Sequence, residues 1–262
     1  MALLDPAERS ARGAALQAEI TGRPAREPRT LYEESWRDFL YAEVWSSPGL
    51  DRRSRYLIAI AGCVVTKADD ELFDDFVYGA LKNKELTVTE LREAALHMGP
   101  YGGWMGAARL DKAITRAAEE LGLPPAENAP IRAEPWDPKE RDAEGAAEFK
   151  QVMAGQGSGP PVVPYLEAIH NFVFGEMWLR RALDERSRRW LTLVGVCDST
   201  TDIPVRSHVY AAMASGNCTV AEMHEFVLQF GTHCGWPKAS EVQGAVFAMA
   251  KNIEAGLSWM GD

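Results

Sequence analysis

Glu43-Val-Trp45, Leu50-Asp51 and Arg53-Ser-Arg55 return 133 positions later as Glu176-Met-Trp178, Leu183-Asp184 and Arg186-Ser-Arg188. Further on, Val77-Tyr78, Ala80, Thr87, Glu90, Glu93, Gly99 and Gly103-Trp104 return 132 positions later as Val209-Tyr210, Ala212, Thr219, Glu222, Glu225, Gly231 and Gly235-Trp236. A one-residue deletion in the loop near Asp69 accounts for the change of offset. Two matched blocks in the same order are hard to obtain by chance, so the chain reads as two copies of one folding unit. Its 262 residues then divide into units of about 130, within the usual size of a domain.

Within each copy the apolar residues recur every three to four positions, as over residues 53–63 and 71–81, and strand-like alternation is scarce. Thr87-Val-Thr-Glu90 and Thr219-Val-Ala-Glu222 both fit the capping box, in which the threonine oxygen accepts an early helix N–H and the glutamate reaches back. The helices they open should cover residues 90–98 and 222–230, the second buried almost all round. Glu222, Glu225, Gln229 and His233 follow the second cap at steps of three and four, a single polar stripe on an otherwise apolar helix. Copy one offers Glu90, Glu93, His97 and Tyr101 in the same places. Such a stripe could line a pocket for acid/base chemistry, or its first glutamate could serve only as a cap while the others satisfy neighbouring backbone.

Five prolines between residues 122 and 138 mark residues 122–140 as a linker, because proline removes a backbone donor and disfavours helix in the residue before it. The expected organisation is therefore all-α: a first domain over 1–121 with an N-terminal helical extension, the linker, and a second domain over 141–262. A second break, 155–161, lies inside the later unit. The net charge of −10 has the wrong sign for a general nucleic-acid binder. No run of about 18 apolar residues and no basic leader stands in the sequence, so neither membrane spanning nor secretion is expected and the location should be cytoplasmic. Cys63, Cys197, Cys218 and Cys234 show no CxxC or metal-ligand spacing, so no disulfide framework or zinc site is expected.

Residues 41–61, then Leu91-Arg-Glu-Ala-Ala-Leu-His and Tyr101-Gly-Gly, resemble the carboxymuconolactone decarboxylase family. Copy two resembles it through His208-Val-Tyr-Ala-Ala, Gly216, Thr219, Glu225 and Cys234-Gly-Trp-Pro237. The resemblance implies two tandem alkylhydroperoxidase D-like helical domains related by a pseudo-two-fold axis. It also implies a cofactor-independent carboxy-lyase acting on gamma-carboxymuconolactone or a related small carboxylated lactone or keto acid in aromatic-compound catabolism. Because single-domain relatives of this kind are expected to form hexameric rings, a fused pair implies a homotrimer. Peroxide-reducing relatives need a CxxC. Here Pro237 stands at the second cysteine, which excludes a two-cysteine cycle within one copy and leaves Cys234 as a single thiol or a small buried hydrophobe.

His208 stands at the family's characteristic histidine, where copy one has Phe76, so the resemblance places the active pocket in copy two. It makes His208 the general acid/base, Glu225 its orienting partner, His233 a further donor and Arg188 the carboxylate anchor, with Glu222, Gln229, Cys234 and Trp236 lining the substrate. Each has a plainer reading: the arginines as ion pairs between the units, His233 as a core histidine, Trp236 as packing. A binding or scaffold protein that kept the fold and lost the chemistry, or a one-cysteine thiol-dependent enzyme, stand as alternatives.

Overall fold

The capping boxes do form: the Thr87 and Thr219 side chains each accept from a backbone N–H of Glu90 and Glu222, and both glutamates return the bond. They open helices running Val88–Gly102 and Val220–Cys234, each starting two residues earlier and ending four later than the apolar pattern indicates. Asp51 and Asp184 cap the helices before them through the N–H groups of Ser54 and Ser187. The computed structural model describes residues 4–131, 137–157 and 159–262. Residues 132–136 of the linker and Ser158 of the second break lie outside the described residues.

Twelve α-helices and two π-helices make up the described chain, which contains no strand. In the first half they are α1 (Pro6–Thr21), α2 (Leu31–Ser35) continuing as the π-helix Trp36–Val44, α3 (Arg52–Thr66), α4 (Asp70–Lys82), α5 (Val88–Gly102) and α6 (Trp104–Glu120). The second half repeats that order: α7 (Pro138–Val152), α8 (Pro164–Ala168) continuing as the π-helix Ile169–Trp178, α9 (Glu185–Asp198), α10 (Asp202–Ala214), α11 (Val220–Cys234) and α12 (Trp236–Glu254). Helix α7 begins at Pro138, inside the span read as linker; proline at a first helical position loses no hydrogen bond the helix would have made.

The halves do not fold side by side. Helices α3 and α9 pack together at the centre, α5 of the first half packs on α9 of the second, and α11 of the second packs on α3 of the first. One apolar core, from Ile20 to Met249, draws on both halves. Reciprocal ion pairs close its rim: Arg53 to Asp184 at 3.1 Å and Arg186 to Asp51 at 3.2 Å. Helix α11 is not buried all round, since Val220 is exposed and His224 and Leu228 are half-buried on its outer face.

Each π-helix is clasped by the first long helix of its half, and glycine permits the approach. A Cβ on Gly13 would run into the Arg37 carbonyl oxygen, and one on Gly145 into the His170 carbonyl oxygen. Backbone cannot step aside as a side-chain tip can. Gly13→Ala is therefore expected to lower unfolding free energy by about 1–3 kcal/mol, the usual cost of forcing extra volume into a packed site. A shift in the urea midpoint corresponding to less than a few tenths of that would show the contact to be soft.

Candidate functional site

The exchange of helices produces two polar clusters, each assembled from both halves. In the first, Arg55 on α3 is 1% exposed. Its guanidinium donates to Glu225 Oε2 at 2.8 Å, to Gln229 Oε1 at 2.9 Å and to the Ser47 carbonyl at 2.8 Å. Ser47 Oγ donates to the other Glu225 oxygen at 2.7 Å, and Gln229 Nε2 donates to the Arg55 carbonyl at 2.7 Å. A Cβ at Gly49 would collide with Glu225 Cγ, so the glycine makes room for this pair. Beyond it, His233 lies edge-on to Phe76 with ring centroids 5.9 Å apart and backs onto Gly62. Its Nε2 has no partner, and burial pulls its pKa down to about 4.

The second cluster has the same skeleton and different chemistry. Arg188 on α9, 3% exposed, occupies the place of Arg55; it donates to the Trp178 carbonyl and lies 4.9 Å from the Trp178 ring centre. Its Nε has no partner, and no carboxylate among the described residues forms an ion pair with it. Glu93, which sits where Glu225 sits, is held instead by Arg180 through two bonds of 2.6 Å and by Asn128 at 2.6 Å. Burial pulls the Arg188 guanidinium down to about 10, which leaves it cationic at neutral pH.

Near Arg188 lie Trp178, His97 and Tyr101, with Thr192 bonded to His97 and His208 against Tyr101. His97 Nε2 meets Thr192 Oγ1 at 2.8 Å, its ring stacks on Tyr101 at 5.1 Å, and Trp178 Nε1 donates to the Tyr101 hydroxyl at 2.9 Å. His208 on α10 faces Tyr101 edge-on at 6.1 Å, with its Nδ1 unpartnered. Burial first, and the Arg189 cation second, hold the His208 imidazole down to about 3, so it is neutral. His97 is pushed well below its ordinary value by burial and by the Arg188 and Arg189 cations.

The expected site therefore divides. His208 and Arg188 fall in the second cluster, whereas Glu225, Gln229 and His233 fall in the first. His208 and Glu225 do not touch, and what Glu225 orients is Arg55. Glu222, expected against substrate, closes its cap and pairs with Arg186 at 2.8 Å, a placement that leaves it structural. Cys234 is a thiol, because burial and then Asp198 raise its pKa, and a thiolate is what peroxide chemistry needs. Trp236 is 52% exposed and lines a groove of about 410 Å³ with His224, Val227, Leu228 and Gln243, on the outer face of α11 and away from His208.

Thr192, Trp178 and Arg180 were not marked as site residues by the sequence pattern, and Tyr101 stood only in the polar stripe of copy one. A usable signal existed for Arg180, which stands 133 positions after Ser47 and breaks the repeat with a charge. No group of three or more His, Cys, Asp or Glu among the described residues is arranged to hold a metal ion, and no helix among them is long and apolar enough to cross a membrane.

Comparison with known proteins bears on α2 to α6. The model of the carboxymuconolactone decarboxylase family matches residues 31–120. A 4-carboxymuconolactone decarboxylase of Acinetobacter baylyi (strain ATCC 33305 / BD413 / ADP1) is 33% identical over 87 residues, which are 33% of this chain and 63% of the relative. The chain thus spans less than two thirds of that relative's length. Arg55, Glu93, His97 and Tyr101 all lie within the matched residues, so both polar clusters draw on the part of this chain that is similar to the carboxymuconolactone decarboxylase family.

Proposed function

We propose that the chain is a carboxy-lyase-like enzyme acting on gamma-carboxymuconolactone or a related small carboxylated lactone or keto acid, with its active pocket at the second cluster. The observation that carries this reading is Arg188, 3% exposed, with an unpartnered Nε and no ion pair to a carboxylate among the described residues. A buried cation without a counter-ion is costly, and a bound substrate carboxylate would supply one. In this role Arg188 anchors a carboxylate, and Tyr101 and Thr192 offer hydroxyls to an oxyanion.

The chemistry is then simple. The bond to the departing carboxylate breaks and releases carbon dioxide; its electron pair moves into the conjugated lactone carbonyl and gives a dienolate, which a proton returned to ring carbon collapses to product. His208 is the group placed to carry that proton. Burial first and Arg189 second keep it neutral, and the negative charge of a bound carboxylate would offset the Arg189 contribution and raise its pKa, toward the range in which an imidazole transfers protons well.

Two tandem copies, a trimer of such chains, a cytoplasmic location and a place in aromatic-compound catabolism complete the proposal. The repeated order of elements supports the duplication. Trp104 and Trp236, about half exposed and set against Phe172 and Phe39 of the opposite halves, give an assembly apolar surface to cover.

Purified protein supplied with gamma-carboxymuconolactone should release carbon dioxide, followed by ultraviolet absorbance and mass spectrometry. His208→Ala, folded by circular dichroism, should turn over at least about a hundredfold more slowly, the usual share of one acid/base group. Equal rates for the two proteins would remove His208 from the mechanism, and no turnover by either would leave a pocket that binds without this reaction.

A further inference from the structure

We propose that Arg180 is a positioning residue that keeps the Arg188 site open to an organic carboxylate by holding Glu93 away from it. The inference rests on the reading of Arg188 as an anion site and goes further, since it says why only one half has such a site.

The two halves supply a comparison within one molecule. Arg55 and Arg188 occupy equivalent places, as do Glu225 and Glu93, Gln229 and His97, Ser47 and Arg180, and Gly49 and Ala182. In the first half Ser47 donates to Glu225, Gly49 leaves room for it, and Glu225 closes on Arg55. The arginine is neutralised from within. In the second half the serine has become Arg180, whose fork takes both oxygens of Glu93, a geometry that guanidinium and carboxylate favour. Asn128 donates a further bond to Glu93, and the Ala129 and Pro130 carbonyls accept from Arg180, so the captured pair is fixed from both sides. Glu93 is 5% exposed and has no second partner to offer Arg188.

The carboxylates whose charge reaches the open arginine, Glu148 and Glu185 first among them, are engaged elsewhere. Arg189, 0% exposed, lies beside it and reaches Glu185 only at 3.7 Å, while Arg181 turns away to Glu148 at 3.0 Å. His97 and His208 both contact Tyr101, as neutral rings. Two buried guanidiniums flanked by neutral aromatic and hydroxyl groups select a flat anion with an apolar body, such as an aromatic or unsaturated carboxylate, over a neutral amide of the same shape.

The test gives the second half the loop residues of the first. Benzoate and benzamide, equal in size and different in charge, serve as probes in isothermal titration. The parent chain should bind benzoate at one site and prefer it to benzamide by about tenfold or more. Arg180→Ser/Ala182→Gly should lose that preference as Glu93 turns to Arg188, and adding Glu93→Gln should restore it. Arg180→Lys, which keeps a cation beside Glu93, should retain it. Glu225→Ala opens the Arg55 site without changing a residue of the second cluster and should raise the number of benzoate sites from one to two.

Retention of the preference in Arg180→Ser/Ala182→Gly, or its absence in the parent or in the Glu93→Gln rescue, would overturn the proposal. If the loop variant fails to fold, Arg180→Lys and Glu225→Ala decide, and loss of preference in the first or a single site in the second overturns it. A parent that binds benzoate in this way yet releases no carbon dioxide from the lactone would sink the lyase reading and leave this one standing.

Discussion

Glu225→Ala should cost about 3 kcal/mol of unfolding free energy, more than any other single truncation on the outer half of α11. Its carboxylate is the counter-ion of Arg55, whose guanidinium is 1% exposed and cannot turn to water when the partner goes. Breaking a buried pair by removing one member typically costs about 3–5 kcal/mol, because the survivor stays charged in a poor dielectric. The lower end applies, since the Glu225 side chain is 24% exposed and the Arg55 charge is partly shared with the Ser47 carbonyl and Gln229. The bond also crosses between the halves, so its loss loosens the packing of α11 on α3. Arg55→Met/Glu225→Leu, which removes both charges and keeps apolar volume, should recover most of the loss, as pairs replaced together usually do. Urea denaturation of the three proteins at neutral pH decides the matter. If Glu225→Ala shifts the midpoint by less than about 0.5 kcal/mol worth of urea, Arg55 is solvated and the cluster is not a closed pair.

The different fates of Arg55 and Arg188 explain what a sequence of this kind discloses. The helical character and both capping boxes are local properties, carried by spacing and by residues within one turn of each other. They were legible for that reason. The π-helices were not, because nothing in Trp36–Val44 or Ile169–Trp178 separates a chain that bonds five residues back from one that bonds four. Nor does a repeat say which copy's helix packs on which. The polar stripe of α11 was correctly traced along Glu222, Glu225, Gln229 and His233, but its partners sit on α3 of the other half, and that choice is made by long-range packing. Hence His208 and Glu225, read as one constellation, belong to two. Comparing the copies position by position would have exposed Arg180 against Ser47, although its consequence, the capture of Glu93, is visible only in three dimensions.

Acid should destabilise the protein well above the range in which its carboxylates protonate. Three of its five histidines, His97, His208 and His233, are held neutral by burial, His208 down to about 3 and His233 to about 4. In the unfolded chain each takes a proton near pH 6.5. Between those values the unfolded state binds more protons than the folded one, so the stability these histidines contribute is complete above about pH 6.5 and falls with pH below it. Each histidine can withdraw at most about 2 kcal/mol between pH 6.5 and 5, at about 1.4 kcal/mol per pH unit. The half-buried rings of His208 and His233 will deliver less than this. Ion-paired carboxylates such as Glu93 and Glu222, whose pKa values are lowered, add their own loss only at lower pH, and Asp75, raised by burial, acts in the opposite direction. Urea midpoints at pH 7.5 and 5.0 should therefore differ by several kcal/mol in the parent, and the difference should shrink by one histidine's share in His233→Phe, which places a ring like that of Phe76 in an apolar seat. Unchanged midpoints would show that these imidazoles reach solvent. Benzoate at Arg188 should also soften the dependence, because an anion beside His208 raises its folded pKa and narrows the interval over which folded and unfolded chains differ in protons.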